Sequence, residues 1–387
     1  MSIVLKPATL ETGVERPIRV MIVDDAVVAR RLLTRWIGTE PDMMVAASLC
    51  TGREAVDQIE ASDPDVVVLD VDMPELDGIS ALPLLLKKKH DLVVIMASAL
   101  TRRSAEISLR ALSLGAADYI PKPESAPDAA TSAAFHRELI EKIRILGRRG
   151  RLLPRHWRPD PDESKPTPAL LKRAPPLQPA DVATFALRPF ARSVPQALLI
   201  GSSTGGPQAL STLIGEIGAA IELAPVLITQ HMPPTFTSVL AEHLSRISGR
   251  PAHEAAHGEA VTAGNIYVAP GGRHMRVARG QDGPTIVLGD DPPINFCKPA
   301  VDPLLSSAAA VWGPRSLALV LTGMGSDGTR GAAEIVAAGG SVIAQDEATS
   351  VVWGMPRSVT QAGLCSAVLP LPQIGAKINR LFAGDRP

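Results

Sequence analysis

Aromatic residues are scarce in this chain of 387 residues, where Phe, Trp and Tyr together make up 3%. Proteins that bind single-stranded nucleic acid stack bases on aromatic side chains, so this class of protein is disfavoured. The chain also lacks an excess of positive charge, because 39 Lys and Arg stand against 40 Asp and Glu. General binding to a phosphate backbone needs such an excess. Both shortages argue against a nucleic-acid-binding protein.

Cysteine is scarce as well. The three cysteines, Cys50, Cys297 and Cys365, lie far apart and form no Cys-x-x-Cys pair. This spacing predicts neither a zinc site nor a disulfide framework and is typical of a reducing cytoplasm. No apolar run approaches the roughly 20 residues that span a bilayer, and residues 1–17 lack the apolar core of a signal peptide. We therefore predict a cytoplasmic protein that is not inserted in a membrane.

Hydrophobic residues, in contrast, make up 45% of the chain, which is enough for two buried cores in a chain of this length. Shifts in composition divide the sequence into four parts: a flexible N-terminus over 1–17, a first domain over 18–147, a Pro- and Arg-rich linker over 148–194 and a second domain over 195–385. The basic cluster of the linker is also consistent with nucleic-acid binding, but a solvated linker is the more common explanation.

Both domains alternate continuous apolar runs with segments of helical spacing. Strands buried on both faces read as continuous apolar runs, so a doubly wound α/β fold with a parallel sheet is predicted for each domain. Five strands are predicted in the first domain, within IRVMIVDD, MMVAAS, PDVVVLDVD, LVVIMAS and ADYIPKP. The second domain is predicted to hold a mostly parallel sheet with a flanking hairpin over 274–288.

Acidic residues end two strands of the first domain. Asp24 and Asp25 follow the first strand and Asp70 ends the third, and the carboxyl ends of parallel strands share one edge of a sheet. Three carboxylates that converge there need a cation between them, and oxygen ligands without sulfur favour Mg²⁺. Ser98 ends the fourth strand and Lys122 follows the fifth. Helix capping explains an isolated acid but not this set, so a phosphoryl site with a carboxylate nucleophile is predicted.

The motifs VDD, LDVDMPELDG, MAS and PKP, in this order, resemble a two-component receiver domain over 18–146. The resemblance implies a flavodoxin-like five-stranded fold and phosphorylation of Asp70. It implies that four residues bind Mg²⁺: Asp24, Asp25, Asp70 and, through its carbonyl, Asp72. Ser98 and Lys122 would contact the phosphoryl group, and Tyr119 matches the aromatic switch position.

Three side chains with complementary chemistry follow strands of the second domain. The strand ALLIG leads to Ser203, PVLITQ to His231 and LALVLTG to Asp327. A hydroxyl, an imidazole and a carboxylate at one sheet edge form the nucleophile, base and orienting acid of a hydrolase. Ser203 is the predicted nucleophile, because it is central in a Gly-x-Ser-x-Gly elbow that exposes its hydroxyl. Ser202 and Thr204 are predicted to support the turn, and free N–H groups at the following helix to stabilise an oxyanion.

Glycine-rich turns also bind phosphates, and GSSTGG and GMGSDG are compatible with a nucleotide site. The Walker A lysine is absent and Gly-x-Gly-x-x-Gly is not satisfied at the first loop, so hydrolysis is favoured over nucleotide binding. The order Ser, His, Asp differs from that of the α/β-hydrolases and argues against that fold. Among the remaining histidines, His274 with Arg273 either lines the cleft and binds substrate or is structural.

The motifs GSSTGG, QHMP, APGGRHM, NFCKPAVD and TGMGSDG, over 198–354, resemble the chemotaxis receptor methylesterase family, commonly called CheB. The resemblance implies hydrolysis of glutamate γ-methyl esters on methyl-accepting chemoreceptors, with release of methanol, and deamidation of receptor glutamines. It implies that the three residues named above are the catalytic triad and that the backbone near Met324 stabilises the oxyanion. It also implies no cofactor in the catalytic domain and the histidine kinase CheA as phosphodonor. Two positions depart from the family pattern, because Ser202 stands where alanine is usual and Ala300 where serine is common.

The two resemblances together imply control of the second domain by the first. Without phosphorylation, the first domain is expected to shield the triad, and a phosphoryl group on Asp70 to draw Ser98 inward and open the cleft. We therefore expect removal of the first domain to raise basal esterase activity. Two other classes stay open: a catalytically silent regulator that only binds receptors, and a nucleotide-binding output module.

Overall fold

The computed structural model describes residues 16–122, 129–152 and 186–385. Most of the predicted N-terminal segment and most of the predicted linker lie outside these ranges. The packing of the chain separates two compact units, Met1–Val94 with His136–Arg155 and Ile95–Phe135 with His156–Pro387. None of the described helices is both long and apolar enough to cross a membrane.

The N-terminal part of the chain forms a five-stranded parallel sheet in the order β2-β1-β3-β4-β5. Its strands are β1 (Ile18–Val23), β2 (Met43–Leu49), β3 (Val66–Asp70), β4 (Val93–Ser98) and β5 (Asp118–Pro121). Five helices accompany them: α1 (Val27–Thr39), α2 (Gly52–Ser62), α3 (Gly78–Lys88), α4 (Arg102–Ser113) and α5 (Ala129–Leu152). Strand β3 is buried at every residue, because its apolar run is covered on both faces. The predicted doubly wound fold is confirmed.

Side-chain oxygens begin three of these helices. Thr51, Asp77 and Thr101 each accept a backbone N–H from the first turn of α2, α3 and α4, respectively, which satisfies a donor that the helix leaves open. Helix α5 continues past the predicted boundary at 147 to Leu152. Its inner face stays close to the sheet at that boundary, because a side chain on Gly147 would stand 2.8 Å from Cγ2 of Ile18.

The C-terminal part forms a seven-stranded sheet in the order β14-β13-β12-β6-β7-β9-β8, with parallel pairing throughout. Its strands are β6 (Ala197–Ser202), β7 (Val226–Gln230), β8 (Ala252–Glu254), β9 (Ile266–Val268), β12 (Ser316–Val320), β13 (Ser341–Gln345) and β14 (Ala367–Leu369). The antiparallel pair β10 (His274–Arg279) and β11 (Pro284–Gly289) forms a separate two-stranded sheet. The predicted parallel sheet and its hairpin are therefore confirmed.

Seven helices accompany this sheet: α6 (Gly206–Glu216), α7 (Gly218–Leu223), α8 (Phe236–Ser248), α9 (Val301–Trp312), α10 (Thr329–Ala337), α11 (Met355–Gln361) and α12 (Leu371–Phe382). The sequence pattern predicts four of them, α6, α8, α9 and α10. The sequence pattern does not predict the edge strands β8 and β14, which have three residues each. His253 consequently lies in a strand rather than in a connecting segment.

Candidate active site and phosphoryl site

The three central strands of the seven-stranded sheet position the predicted triad. Strand β6 lies between β12 and β7, and Ser203 and His231 directly follow β6 and β7. Asp327 lies in the loop between β12 and α10. The chain continues from β6 to β7 on one side of it, and β12 later pairs with β6 on the other side. Open α/β sheets hold their ligands in the crevice that forms where the strand order reverses in this way.

Ser203 occupies a sharp turn between β6 and α6. Its N–H donates to the carbonyl of Thr322 at 3.0 Å, and its carbonyl accepts the N–H of Gly206 at 2.7 Å. Gly205 has a φ of 74°, a left-handed conformation that glycine adopts without strain. A side chain on Gly206 would stand 2.0 Å from Oε1 of Gln230. The two glycines therefore permit the turn and its close contact with β7.

The neighbouring serines of this turn differ in what their hydroxyls contact. Ser202 is fully buried and donates its hydroxyl hydrogen to Oε1 of Gln230 at 2.7 Å. The amide of Gln230 donates in turn to the carbonyl of Ser203 at 2.9 Å. Ser203 is half-buried, and its Oγ forms no hydrogen bond with any described residue, so it is open to a substrate. This arrangement supports Ser203 rather than Ser202 as the nucleophile.

His231 and Asp327 are hydrogen-bonded, with 2.7 Å between Nε2 of the ring and Oδ2 of the carboxylate. The carboxylate also accepts the N–H groups of Val301 at 2.6 Å, Asp302 at 3.1 Å and Gly328 at 2.8 Å. Two of these donors open α9, whose N-terminus favours a negative charge. Burial acts to raise the pKa of Asp327, but the hydrogen bond and charge of His231, with the backbone donors, hold it below its ordinary value.

The imidazole of His231 has a second neighbour, the side chain of Cys297. Burial acts to lower the pKa of His231, but the charge of Cys297 and the hydrogen bond and charge of Asp327 outweigh it and raise the pKa to about 10. The spacing of the three cysteines indicates no role for Cys297. The signal that points to the site is its position in NFCKPAVD, just before α9, whose first N–H groups bond to Asp327.

Two backbone N–H groups beside Ser203 are available to an oxyanion. Thr204 and Met324 donate no backbone hydrogen bond within the described ranges. The two segments lie close together, because a side chain on Gly323 would stand 2.9 Å from Cβ of Ser203. Oxyanion holes take their donors from segments beside the nucleophile, so these two N–H groups stay the predicted donors.

His274 and Arg273 contact other parts of the fold. His274 is fully buried, and its two ring nitrogens bond to the carbonyl of Pro292 and the N–H of Ala300, each at 3.1 Å. Arg273 donates to the carbonyl of Leu288 at 3.3 Å. Both side chains thus have partners within the protein, and each ring nitrogen of His274 is hydrogen-bonded.

The three predicted carboxylates of the phosphoryl site meet in the first unit. Asp24, Asp25 and Asp70 each place a carboxylate oxygen within 4.8 Å of the others. Asp24 and Asp70 are buried and Asp25 is exposed. An all-oxygen set of three negative charges fits Mg²⁺. The Asp72 side chain is exposed and lies outside this group, which leaves its carbonyl for the predicted ligation.

The other predicted phosphoryl contacts belong to the second unit. Ser98 is buried, and 3.0 Å separate its hydroxyl oxygen from that of Ser108 on α4. Lys122 donates its backbone N–H to the carbonyl of Ser98 at 2.7 Å. Tyr119 is buried and stacks on Phe236, with ring centroids 4.9 Å apart and planes 8° from parallel. The Ser98 hydroxyl is therefore bonded to α4 in this structure.

Comparison with known proteins places these sites in a family. Residues 198–378 match the model of the CheB methylesterase family, and residues 20–133 match that of the response regulator receiver domain. A protein-glutamate methylesterase/protein-glutamine glutaminase of Nitrobacter hamburgensis is 61% identical, covering 99% of this chain and 98% of the relative. One of a group 2 operon in Bradyrhizobium diazoefficiens is 62% identical, covering 96% and 95%.

Among solved structures, the CheB methylesterase catalytic domain of Thermotoga maritima is 41% identical, covering 48% of this chain and 98% of that chain, with a TM-score of 0.47. Identity above 60% over almost the full length of both relatives leaves no part of either domain unmatched. The chain belongs to the CheB methylesterase family and carries a response regulator receiver domain ahead of its methylesterase domain.

Proposed function

We propose that this chain hydrolyses glutamate γ-methyl esters on methyl-accepting chemoreceptors, releases methanol and deamidates specific receptor glutamines. The names of the full-length relatives support the reaction. The single observation that carries the mechanism is the 2.7 Å hydrogen bond between His231 and Asp327. These two residues follow β7 and β12, the strands on either side of β6, which leads to the open Ser203 hydroxyl. Three cysteines without disulfides and the proposed substrate favour the cytoplasm.

The proposed reaction begins when Oγ of Ser203 attacks the ester carbonyl. Nε2 of His231 is bonded to Asp327, so Nδ1 is the nitrogen that takes the serine proton. The N–H groups of Thr204 and Met324 stabilise the tetrahedral oxyanion. His231 then returns its proton to the leaving oxygen, methanol departs and an acyl-Ser203 ester remains.

Water completes the cycle. His231 removes a proton from water, the hydroxide adds to the acyl carbonyl, and collapse of the second tetrahedral species restores the Ser203 hydroxyl and a glutamate carboxylate. Deamidation follows the same steps, with ammonia leaving in place of methanol. Asp327 fixes the orientation of the ring and stabilises the imidazolium.

Asp70 is proposed to accept a phosphoryl group from a histidine kinase, CheA, in the receiver domain. Asp24, Asp25 and Asp70 would hold Mg²⁺ with the carbonyl of Asp72, and the ion supplies neutralisation of phosphoryl charge when it is bound. Asp70 is buried at a strand end, where its Oδ1 accepts the N–H of Val71 at 2.8 Å, and its carboxylate is the proposed nucleophile toward phosphorus. Ser98 and Lys122 are proposed to contact the phosphoryl oxygens.

Phosphorylation is proposed to relieve inhibition of the esterase. Contacts inside the second unit support this proposal, because α4 touches both α8 and α6 there. Tyr119 stacks on Phe236 at the start of α8, which follows His231 by a short loop. In the proposed sequence, the Ser98 hydroxyl leaves Ser108 for the phosphoryl group, and Tyr119 moves with it.

Methanol release from methylated receptor distinguishes this function from the alternatives. Ser203→Ala should abolish release, by at least about 10³-fold, and should abolish labelling by a fluorophosphonate. Ser202→Ala is the matched control; it removes one buried hydroxyl and should keep activity within about tenfold. A nucleotide-binding module or a silent regulator would release no methanol in the unsubstituted chain, and nucleotide binding would survive Ser203→Ala.

A further inference from the structure

One buried histidine holds both ends of the loop that precedes α9. His274, the first residue of β10, has no exposed surface. Its Nε2 lies 3.1 Å from the carbonyl oxygen of Pro292, and its Nδ1 lies 3.1 Å from the N–H nitrogen of Ala300. A carbonyl can only accept and an amide N–H can only donate, so Nε2 carries the hydrogen and Nδ1 does not. We infer that neutral His274 is a positioning residue for the triad, acting through residues 292–300.

One end of the 292–300 loop leads directly to Asp327. Ala300 is the residue before α9, and its methyl side chain offers no acceptor to the helix. The N–H of Val301, the next residue, donates to Oδ2 of Asp327 at 2.6 Å. The same oxygen bonds to Nε2 of His231. The bond from Ala300 to His274 therefore fixes the backbone at the point where α9 holds the triad acid.

The middle of the loop brings Cys297 to His231. Ile294 and Cys297 form a closed turn with two backbone hydrogen bonds, at 2.8 and 3.1 Å. Asn295 and Phe296 between them both have left-handed backbones, with φ of 49° and 65°, a pairing typical of a type I′ turn. A displaced loop would consequently move a group that touches the catalytic base.

Two contacts of Lys298 also hold the loop. Gly272 donates its N–H to the carbonyl of Lys298 at 3.0 Å, and the Lys298 ammonium donates to the carbonyl of Asp290 at 3.0 Å. The charged pair nearest to the first end, Arg276 with Asp291, is partly exposed, and such pairs contribute little. The Lys298 side chain thus also links the two ends, but its bond is exposed, whereas His274 is fully buried.

This inference rests on the proposed function, and two variants test it. His274→Gln keeps an acceptor and a donor about as far apart as the two ring nitrogens, whereas His274→Phe keeps the planar bulk and removes both bonds. We expect His274→Phe to lower kcat at least about tenfold, because a small misplacement of catalytic groups is costly, with little change in KM. His274→Gln should restore most of kcat. The pair His253→Phe and His253→Gln, at a histidine of β8 bonded to Glu259, should leave kcat unchanged.

Hydrogen exchange in the same variants provides a readout besides activity. The amides of residues 294–298, 300 and 301 should exchange at least about tenfold faster in His274→Phe and near the unsubstituted rate in His274→Gln. If His274→Phe does not fold, His274→Asn, whose shorter amide reaches only one partner, replaces it. A folded His274→Phe or His274→Asn with unchanged kcat and exchange overturns the inference, as does failure of His274→Gln to rescue either. Absence of methanol release from the unsubstituted chain would instead refute the proposed function.

Discussion

Asp302, in the first turn of α9, and Asp327, two residues before α10, each accept a backbone N–H from the other's segment. Asp327 accepts the N–H of Asp302 in the first turn of α9, at 3.1 Å, and Asp302 accepts the N–H of Gly331 in the first turn of α10, at 2.8 Å. Burial, opposed by the Gly331 bond, raises the pKa of Asp302, whereas the pKa of Asp327 is lowered by His231 and its donors despite burial. The surroundings thus shift the pKa values of two neighbouring acids in opposite directions.

Asparagine substitution should separate the roles of these two acids. Asp327→Asn removes the charge that steadies the imidazolium and should lower kcat about 10³- to 10⁴-fold. Asp302→Asn keeps an oxygen for the Gly331 N–H and should leave kcat within about tenfold. Methanol release from methylated receptor measures both. An Asp302→Asn variant as inactive as Asp327→Asn would contradict this assignment.

The pH dependence of kcat/KM should report the pKa of His231, which its neighbours raise. The base must be unprotonated to act, and its pKa is raised to about 10, so activity should rise across pH 7–9 by up to about tenfold per pH unit. Cys297→Ser removes the side chain whose charge interaction with His231 raises this pKa. The rising limb should therefore move to lower pH, with greater activity at pH 7 than in the unsubstituted chain. An unmoved limb would argue against the influence of Cys297.

Glycine at the nucleophile turn should be sensitive to a single added methyl group. In Gly206→Ala, the new carbon would stand 2.0 Å from Oε1 of Gln230, the atom that accepts the Ser202 hydroxyl. We expect a loss of about 1–3 kcal/mol in the free energy of unfolding and a loss of esterase activity. Gly218→Ala is the matched control, because nothing lies within 4 Å of its added carbon; it should change stability by less than about 1 kcal/mol. Denaturant unfolding compares the two.

Phosphorylation by a small-molecule phosphodonor should separate the roles of the acidic residues in the receiver domain. Asp70→Asn should abolish incorporation, and Asp24→Asn should raise the Mg²⁺ concentration required at least about tenfold. Asp72→Asn alters an exposed side chain outside the carboxylate group and leaves its carbonyl in place. Its incorporation should match that of the unsubstituted chain, and a requirement for the Asp72 carboxylate would count against the proposed ligand set.

Contacts of α4 and β5 should control basal activity if phosphorylation relieves inhibition. Tyr119→Ala removes the stack on Phe236 and should raise methanol release in the unphosphorylated chain several-fold, with a smaller stimulation on phosphorylation. Arg102→Ala removes an ion pair with Glu242 in which both side chains are more than half exposed. Such pairs contribute at most about 1 kcal/mol, so its effect should be smaller. Equal basal rates in all three proteins would refute the inhibitory role.

Much of this architecture follows from the pattern of residues along the chain. The long apolar runs that became β3 and β6 mark buried parallel strands, and the strand ends locate Ser203, His231 and Asp70. The hydrogen-bond partners of individual side chains are not predictable in this way, because they lie on segments that meet only after folding. Nothing in the sequence pairs Asp302 with α10, aligns Cys297 with His231 or assigns both ring nitrogens of His274 to one loop. The short edge strands β8 and β14 are also missed, whereas β9, equally short, is predicted because it lies within the apolar run NIYVAP.

The central position of β12, β6 and β7 has a consequence for regulation. Adjacent strands in the middle of a sheet share a continuous ladder of backbone hydrogen bonds, so separating β6 from β7 or β12 would break many of these bonds at once. The free-energy cost of that change is too large for a reversible signal. We therefore expect the proposed control by phosphorylation to act at the entrance to the site, by admitting or refusing the substrate, while the proposed catalytic residues stay in place.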